Sequence, residues 1–202
     1  MYKIKHNVVD FSYAQSQLAA DVIFKTGQVV NGDACRALEA KWCEVTGAED
    51  AAMVSSGFSA LRLALIALGI GQGDEVIIPG FSCTALYIAT SSINAIPVLA
   101  DIRPDDLTLD INSVKTKTTD KTKAIIVVHM FGAYADVDSL NQLGVPIVED
   151  FAHSIFKQEC KLSISSFWPT KLISSMGGGI VAGDKELIGT VREYSYYGDR
   201  KI

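Results

Sequence analysis

Apolar positions along the chain follow two alternating patterns. Leu38, Trp42 and Val45 stand at i, i+4 and i+7, and Leu61, Leu65 and Leu68 repeat that stripe, so each set lines one face of a helix. Between such stretches come short, mostly apolar runs: Ala51-Ala52-Met53-Val54, Val76-Ile77-Ile78, and residues 96–100, 123–129 and 146–149. Runs this short, bounded by turn residues, predict strands buried on both faces, as in a parallel sheet. Gly47 ends the helix that starts at Gly32-Asp33, the glycine-rich stretch 69–74 makes a connecting turn, and Pro79-Gly80 stops a strand. Helices are further expected over 10–25, 84–93, 137–143 and 184–194, and short strands over 163–167 and 179–182.

Strands alternating with helices predict an α/β fold: three layers, a mostly parallel sheet with helices on both faces, and right-handed crossovers. No repeat, low-complexity tract or linker divides the 202 residues. A chain of that length buries a core without disulfides or metal. The net charge of −5, with scattered Lys and Arg, offers no surface for a nucleic-acid backbone. The N-terminus has no signal-like apolar region and no run is long enough to span a bilayer, so no membrane partner and a cytoplasmic location are expected. Cys35, Cys43, Cys83 and Cys160 form no C-x-x-C pair, and His6, His129 and His153 do not stand at zinc-ligand spacings. Free thiols and no metal are expected.

In α/β folds ligands sit beyond the carboxyl ends of the strands, and several reactive residues fall there. Ser55-Ser56-Gly57-Phe58-Ser59 joins a strand to a helix, where outward N–H groups and the helix dipole favour an anion. Taken alone, that turn serves equally as a helix cap. Asp150 and His153 follow the strand ending at Glu149, and Lys171 follows the strand over 163–167. Singly, these read as well as a helix-capping acid, a structural histidine and a surface lysine. His129, at the end of the most apolar strand, is open between a structural and a functional role.

The combination is more informative. A phosphate turn, an aspartate at a strand end, a lysine on the next loop and then Gly177-Gly178-Gly179 is the order of fold-type I pyridoxal 5′-phosphate (PLP) enzymes. Residues 56–61 (SGFSAL) are similar to an S-G-T-x-A-L motif, and residues 68–79 (LGIGQGDEVIIP) follow A-L-G-I-G-x-G-D-E-V-I-x-P closely. Pro97-Val98 with Asp101-Ile102, Lys121-Thr122-Lys123-Ala124-Ile125, His129-Met130-Phe131-Gly132, Glu149-Asp150-Phe151-Ala152-His153 and Ser166-Phe167-Trp168-Pro169-Thr170-Lys171 match further motifs of one family. From about residue 32 to 198 the chain resembles the DegT/DnrJ/EryC1/StrS sugar aminotransferases.

That resemblance implies roles position by position. Lys171 would hold PLP as a Schiff base, Asp150 would pair with the protonated pyridine nitrogen, and His153 would lie near the ring's 3-oxygen. Gly57 and Phe58, through their backbone, would bind the phosphate with Ser166, and Ser56 belongs to the same cofactor-binding set. Cys83 completes it, standing where the family often places an aromatic that stacks on the ring. The implied reaction moves an amino group from glutamate or glutamine to a nucleotide-linked keto-sugar, in a homodimer. Related sugar dehydratases carry histidine at the Lys171 position, which argues against dehydration. The stretch between His153 and Ser166 is shorter than usual in the family, and Met176 lies in a glycine-rich stretch where the family carries a glutamate. Family chains continue into a smaller C-terminal domain. Residues 1–202 are therefore expected to form the PLP-binding large domain alone, and a non-catalytic PLP-binding or partner-binding domain is the alternative.

Overall fold

The unbroken apolar run at 124–128 becomes the centre of the sheet because its side chains alternate between two cores. In the computed structural model, which describes residues 12–28 and 30–195, Ala124, Ile126 and Val128 face one apolar cluster while Ile125 and Val127 face another. The seven strands are β1 (Asp50–Val54), β2 (Glu75–Pro79), β3 (Ile96–Ala100), β4 (Thr122–Val128), β5 (Ile147–Asp150), β6 (Leu162–Ser166) and β7 (Gly179–Gly183). Their order is β1-β7-β6-β5-β4-β2-β3. The pairs from β3 through β2, β4 and β5 to β6 are parallel, and β7 runs antiparallel between β6 and β1.

The helices are α1 (Tyr13–Asp21), α2 (Asp33–Thr46), α3 (Gly57–Ala67), α4 (Ala85–Ser91), α5 (Ile111–Lys117), α6 (Val137–Asn141) and α7 (Lys185–Ser195). Leu61 and Leu65 of α3, Leu86 of α4 and Ile188 and Val191 of α7 bury against Val76, Ile78, Ile126 and Val181 on one face of the sheet. Val114 of α5 and Val137 and Leu140 of α6 bury against Ile77, Ile125 and Val127 on the other. Trp42 of α2 closes a third cluster with Phe151, Phe167 and Ile180, meeting the Phe167 ring edge-on at 5.8 Å. The three-layer, mostly parallel arrangement expected from the sequence is the one observed.

At its β1 rim the sheet is bonded by side chains rather than by another strand. Glu39 of α2 accepts a hydrogen bond from the Met53 backbone N–H at 2.7 Å. Arg192 of α7 donates to the Ala51 carbonyl and, at 3.0 Å, to Asp50 Oδ1, and it pairs with Glu39 at 3.3 Å.

Several elements depart from the sequence reading. Helix α5 was not anticipated. It is seven residues long, and only Ile111 and Val114 are apolar, so no periodicity announces it; the Asp110 side chain accepts from Asn112 N–H at 2.9 Å and starts it. The helix expected over 10–25 begins outside the described residues. Its described part starts after Ser12, whose capping box with Gln15 closes both ends of the first turn, and gives way to a π-helical turn at Val22–Thr26. Helices α4 and α6 stop two residues short of their expected ends. Strand β6 lies one residue earlier than expected, and Asp150 is the last residue of β5 rather than the first residue beyond it.

Candidate functional site

At the carboxyl end of β1 the chain turns through Ser55 and Ser56 into α3. Ser56 Oγ accepts from Ser59 N–H at 3.0 Å, so the hydroxyl caps the helix. Ser56 also bridges Gly178 beside β7, which draws the turn across to the end of β6. Gly57 makes that approach possible: a Cβ there would lie 2.6 Å from Ser166 Cβ and 2.8 Å from Ser166 Oγ. Ser56, Gly57, Phe58 and Ser166 thereby form one cradle over the first turn of α3, where N–H groups point outward and an anion is favoured. Ser166 Oγ accepts from Trp168 N–H at 3.3 Å, and the hydroxyl remains a donor for that anion.

Asp150, His153 and Lys171 gather a few residues away, at the ends of β5 and β6. Asp150 is buried, and its Oδ1 accepts from Ala152 N–H at 2.8 Å. Burial pushes the Asp150 carboxyl up to about 6, against the Ala152 hydrogen bond and the positive charge of Lys171, which favour the anion. Lys171 Nζ lies 3.1 Å from His153 Nε2. The other ring nitrogen, His153 Nδ1, is buried with no hydrogen-bond partner among the described residues. Burial, and then the Lys171 charge, hold the imidazole below its ordinary proton affinity, so it accepts from the lysine as a neutral ring.

Beneath these groups lies a second polar cluster that sequence reasoning underweighted. His129, one residue beyond β4, and Glu149 of β5 meet at 3.3 Å with no exposure of either side chain. Glu149 Oε2 also accepts from Glu159 and Cys160 N–H, each at 2.9 Å, and so ties the loop after β5 back to the sheet. His129 Nδ1 accepts from Ala135 N–H at 3.2 Å, and the ring stacks between Tyr134 and Phe151. A histidine and an acid, each ending an expected strand, were the available signal. Phe131 was also passed over: its ring lies over His153, with centroids 5.3 Å apart and planes 12° from parallel. Cys83 is exposed in the loop between β2 and α4, and no described hydrogen bond or ring contact joins it to Asp150, His153 or Lys171.

The two groups of residues fit PLP chemically. The cradle opposite Ser166, which a Cβ on Gly57 would fill, suits a phosphate. The amine of Lys171 suits an aldehyde carbon, the buried carboxylate of Asp150 suits a ring N–H, and the unpartnered nitrogen of His153 shows a polar group in want of a partner.

Known proteins resemble the chain in sequence and fold. The model of the DegT/DnrJ/EryC1/StrS aminotransferase family matches residues 13–201. The UDP-2-acetamido-2-deoxy-3-oxo-D-glucuronate aminotransferase of Pseudomonas aeruginosa is 34% identical over 194 residues, covering 89% of this chain and 54% of its own length. DesV of S. venezuelae superposes with a TM-score of 0.88 at 34% identity, covering 93% of this chain and 54% of that one. Spr1654 of Streptococcus pneumoniae in its PLP form superposes with a TM-score of 0.88 at 25% identity, over 95% of this chain and 57% of that one. The chain thus spans about half the length of the relatives it matches. By the extent of that match and the shared architecture, the chain belongs to the DegT/DnrJ/EryC1/StrS aminotransferase family.

Proposed function

We propose that residues 1–202 are the PLP-binding domain of an aminotransferase that carries an amino group from glutamate or glutamine to a nucleotide-linked keto-sugar. The observation that carries this reading is the meeting of Lys171 Nζ and His153 Nε2 at 3.1 Å in front of the buried Asp150. The relatives from P. aeruginosa and S. venezuelae, at 34% identity each, support the substrate class.

In this reading Lys171 carries the cofactor, Asp150 faces its ring nitrogen, and the cradle of Ser56, Gly57, Phe58 and Ser166 takes its phosphate. Cys83, on the loop after β2, is assigned to the rim of the same site. PLP supplies an electron sink that permits a proton to leave the carbon beside an amine. Asp150, kept as a carboxylate by the positive charge it faces, holds the ring-nitrogen proton in place. His153 accepts a hydrogen bond from Lys171 Nζ and so holds that nitrogen in place. Lys171 Nζ would be the base that takes the proton from the donor's Cα. Lysine rather than histidine at this position supports amination over dehydration.

The active unit is a homodimer in the cytoplasm. No helix of the described residues is long and apolar enough to cross a membrane. Helix α1 buries none of its residues, leaving Tyr13 at 83% exposure and the following Phe24 at 87%, apolar surface that a second copy would cover.

The test is direct. PLP added to the protein should produce an absorbance band that borohydride bleaches, and peptide mapping should find the reduced cofactor on Lys171. A label on Lys157 or Lys161 instead would reject the assignment.

A further inference from the structure

The turn after β4 contains a strained residue. Phe131 adopts φ 51 and ψ 28, and Gly132 follows at φ 90. A left-handed conformation at a bulky non-glycine residue persists only where the surroundings over-determine it. They do so here. His129 N–H donates to the Asp150 carbonyl at 3.3 Å, Ser154 Oγ donates to the His129 carbonyl at 3.3 Å, and Ala133 N–H returns to Met130 at 2.9 Å. Ala135 N–H is held by His129 Nδ1, and His129 by the buried Glu149. Both feet of the turn are therefore fixed to the sheet, and the turn is forced outward between them.

The strained turn presents a side chain with no place in the core. Phe131 is 70% exposed, and its described ring contact is the face of His153. His153 needs such a contact. Its Nε2 is engaged by Lys171 but its Nδ1 has no partner among the described residues, and a single hydrogen bond leaves an imidazole free to swing about its last torsion. A parallel ring against one face removes that freedom.

We propose that Phe131 is a positioning residue: by stacking on His153 it fixes the plane of the imidazole, and with it the position of Nε2 against Lys171 Nζ. The functional consequence rests on the reading of Lys171 as the lysine that carries PLP. The charged group facing His153 is Lys171, on the loop after β6; the turn that carries Phe131 brings none.

The experiment uses the whole chain with Phe131→Asn and Phe131→Tyr. Asparagine tolerates the left-handed conformation, so Phe131→Asn removes the ring while keeping the turn; Phe131→Tyr restores a ring. In the PLP-free protein, the His153 titration is followed by NMR. With Phe131→Asn, water reaches the ring face, and the His153 midpoint should rise toward the ordinary histidine value, with the Phe131→Tyr protein returning to wild type. In PLP titrations, Phe131→Asn should weaken binding about three- to tenfold, the scale of one lost aromatic pair, and Phe131→Tyr should again restore it. A folded Phe131→Asn protein whose His153 titration is that of the wild type would overturn the proposal, as would a folded Phe131→Tyr protein that fails to restore it. A wild-type chain that binds no PLP, but whose His153 midpoint responds in this way, would defeat the proposed function and leave the positioning role standing.

Discussion

Glu149 Oε1 accepts the Nε2 hydrogen bond of His129 at 3.3 Å, and neither side chain reaches solvent. His129 Nδ1 in turn accepts from Ala135 N–H, which leaves Nε2 as the nitrogen that donates to Glu149. Glu149 is then a buried carboxylate satisfied by three N–H donors, from His129, Glu159 and Cys160. Glu149→Ala should strand all three donors and destabilise the fold by about 3 kcal/mol or more, at roughly 1–3 kcal/mol for each buried unsatisfied group. Glu149→Gln, which keeps an acceptor, should cost less. Urea denaturation of both variants checks the order.

Asp150 should weaken the PLP-free protein at neutral pH. Its carboxyl is raised from 3.8 to about 6 by burial, so between those values the folded chain binds more protons than the unfolded one. Stability from this group is therefore fully present below about pH 4 and falls as pH rises toward 6, by about 3 kcal/mol in all. Asp150→Asn should be more stable than wild type at pH 7, with the advantage gone at pH 4. A constant difference across that range would contradict the burial argument.

The same substitution should impair chemistry. Asp150→Asn loses the charge that holds a ring proton, so PLP should still bind while its conversion by glutamate slows at least ~100-fold, equivalent to about 2.7 kcal/mol of transition-state stabilisation. Stopped-flow absorbance after glutamate addition reads this, and an unchanged rate would remove Asp150 from the proposed role.

Gly57→Ala places a Cβ 2.6 Å from Ser166 Cβ, so the α3 turn and the end of β6 must separate. The expected result is about 1–3 kcal/mol of lost stability together with weaker PLP binding. Gly71→Ala is the control, since a Cβ there meets nothing within 4 Å. Thermal melts and PLP titrations of the two variants should diverge; equal behaviour would show that the cradle is not tight.

The chain should associate through helical surface that includes α1. Light scattering should give at least a dimer, with an interface above ~1,000 Å². Tyr13→Lys with Phe24→Lys should shift the equilibrium toward monomer. A wild-type chain that stays monomeric at high concentration would remove this expectation.

How much of this was legible in the sequence depends on how local each feature is. Strand β4 was legible because a run of apolar residues buried on both faces has no polar interruption, and α3 because Leu61 and Leu65 repeat a helical stripe. Helix α5 was not, since Ile111 and Val114 are its only apolar residues and form no repeating stripe. Asp150 and Lys171 were legible only jointly, as an order along the chain. The contact of Phe131 with His153 was not legible at all, because it depends on a left-handed turn whose cause is a hydrogen-bond network spanning two strands. Glu149 and His129 were visible as residues, but their pairing required knowing that β4 and β5 are neighbours.

The side chains along the β1 rim bear on solubility as well as on fold. An unpaired strand edge is a template on which another polypeptide can add backbone to backbone. Glu39 already occupies the Met53 N–H and Arg192 the Ala51 carbonyl, so an incoming strand would have to break a salt bridge before it could form its first ladder bond. At the opposite rim, Pro97 of β3 has no N–H to give. Both ends of the sheet thus discourage growth into a larger, ill-defined one, which steers self-association toward the helical surfaces and away from fibrous aggregation.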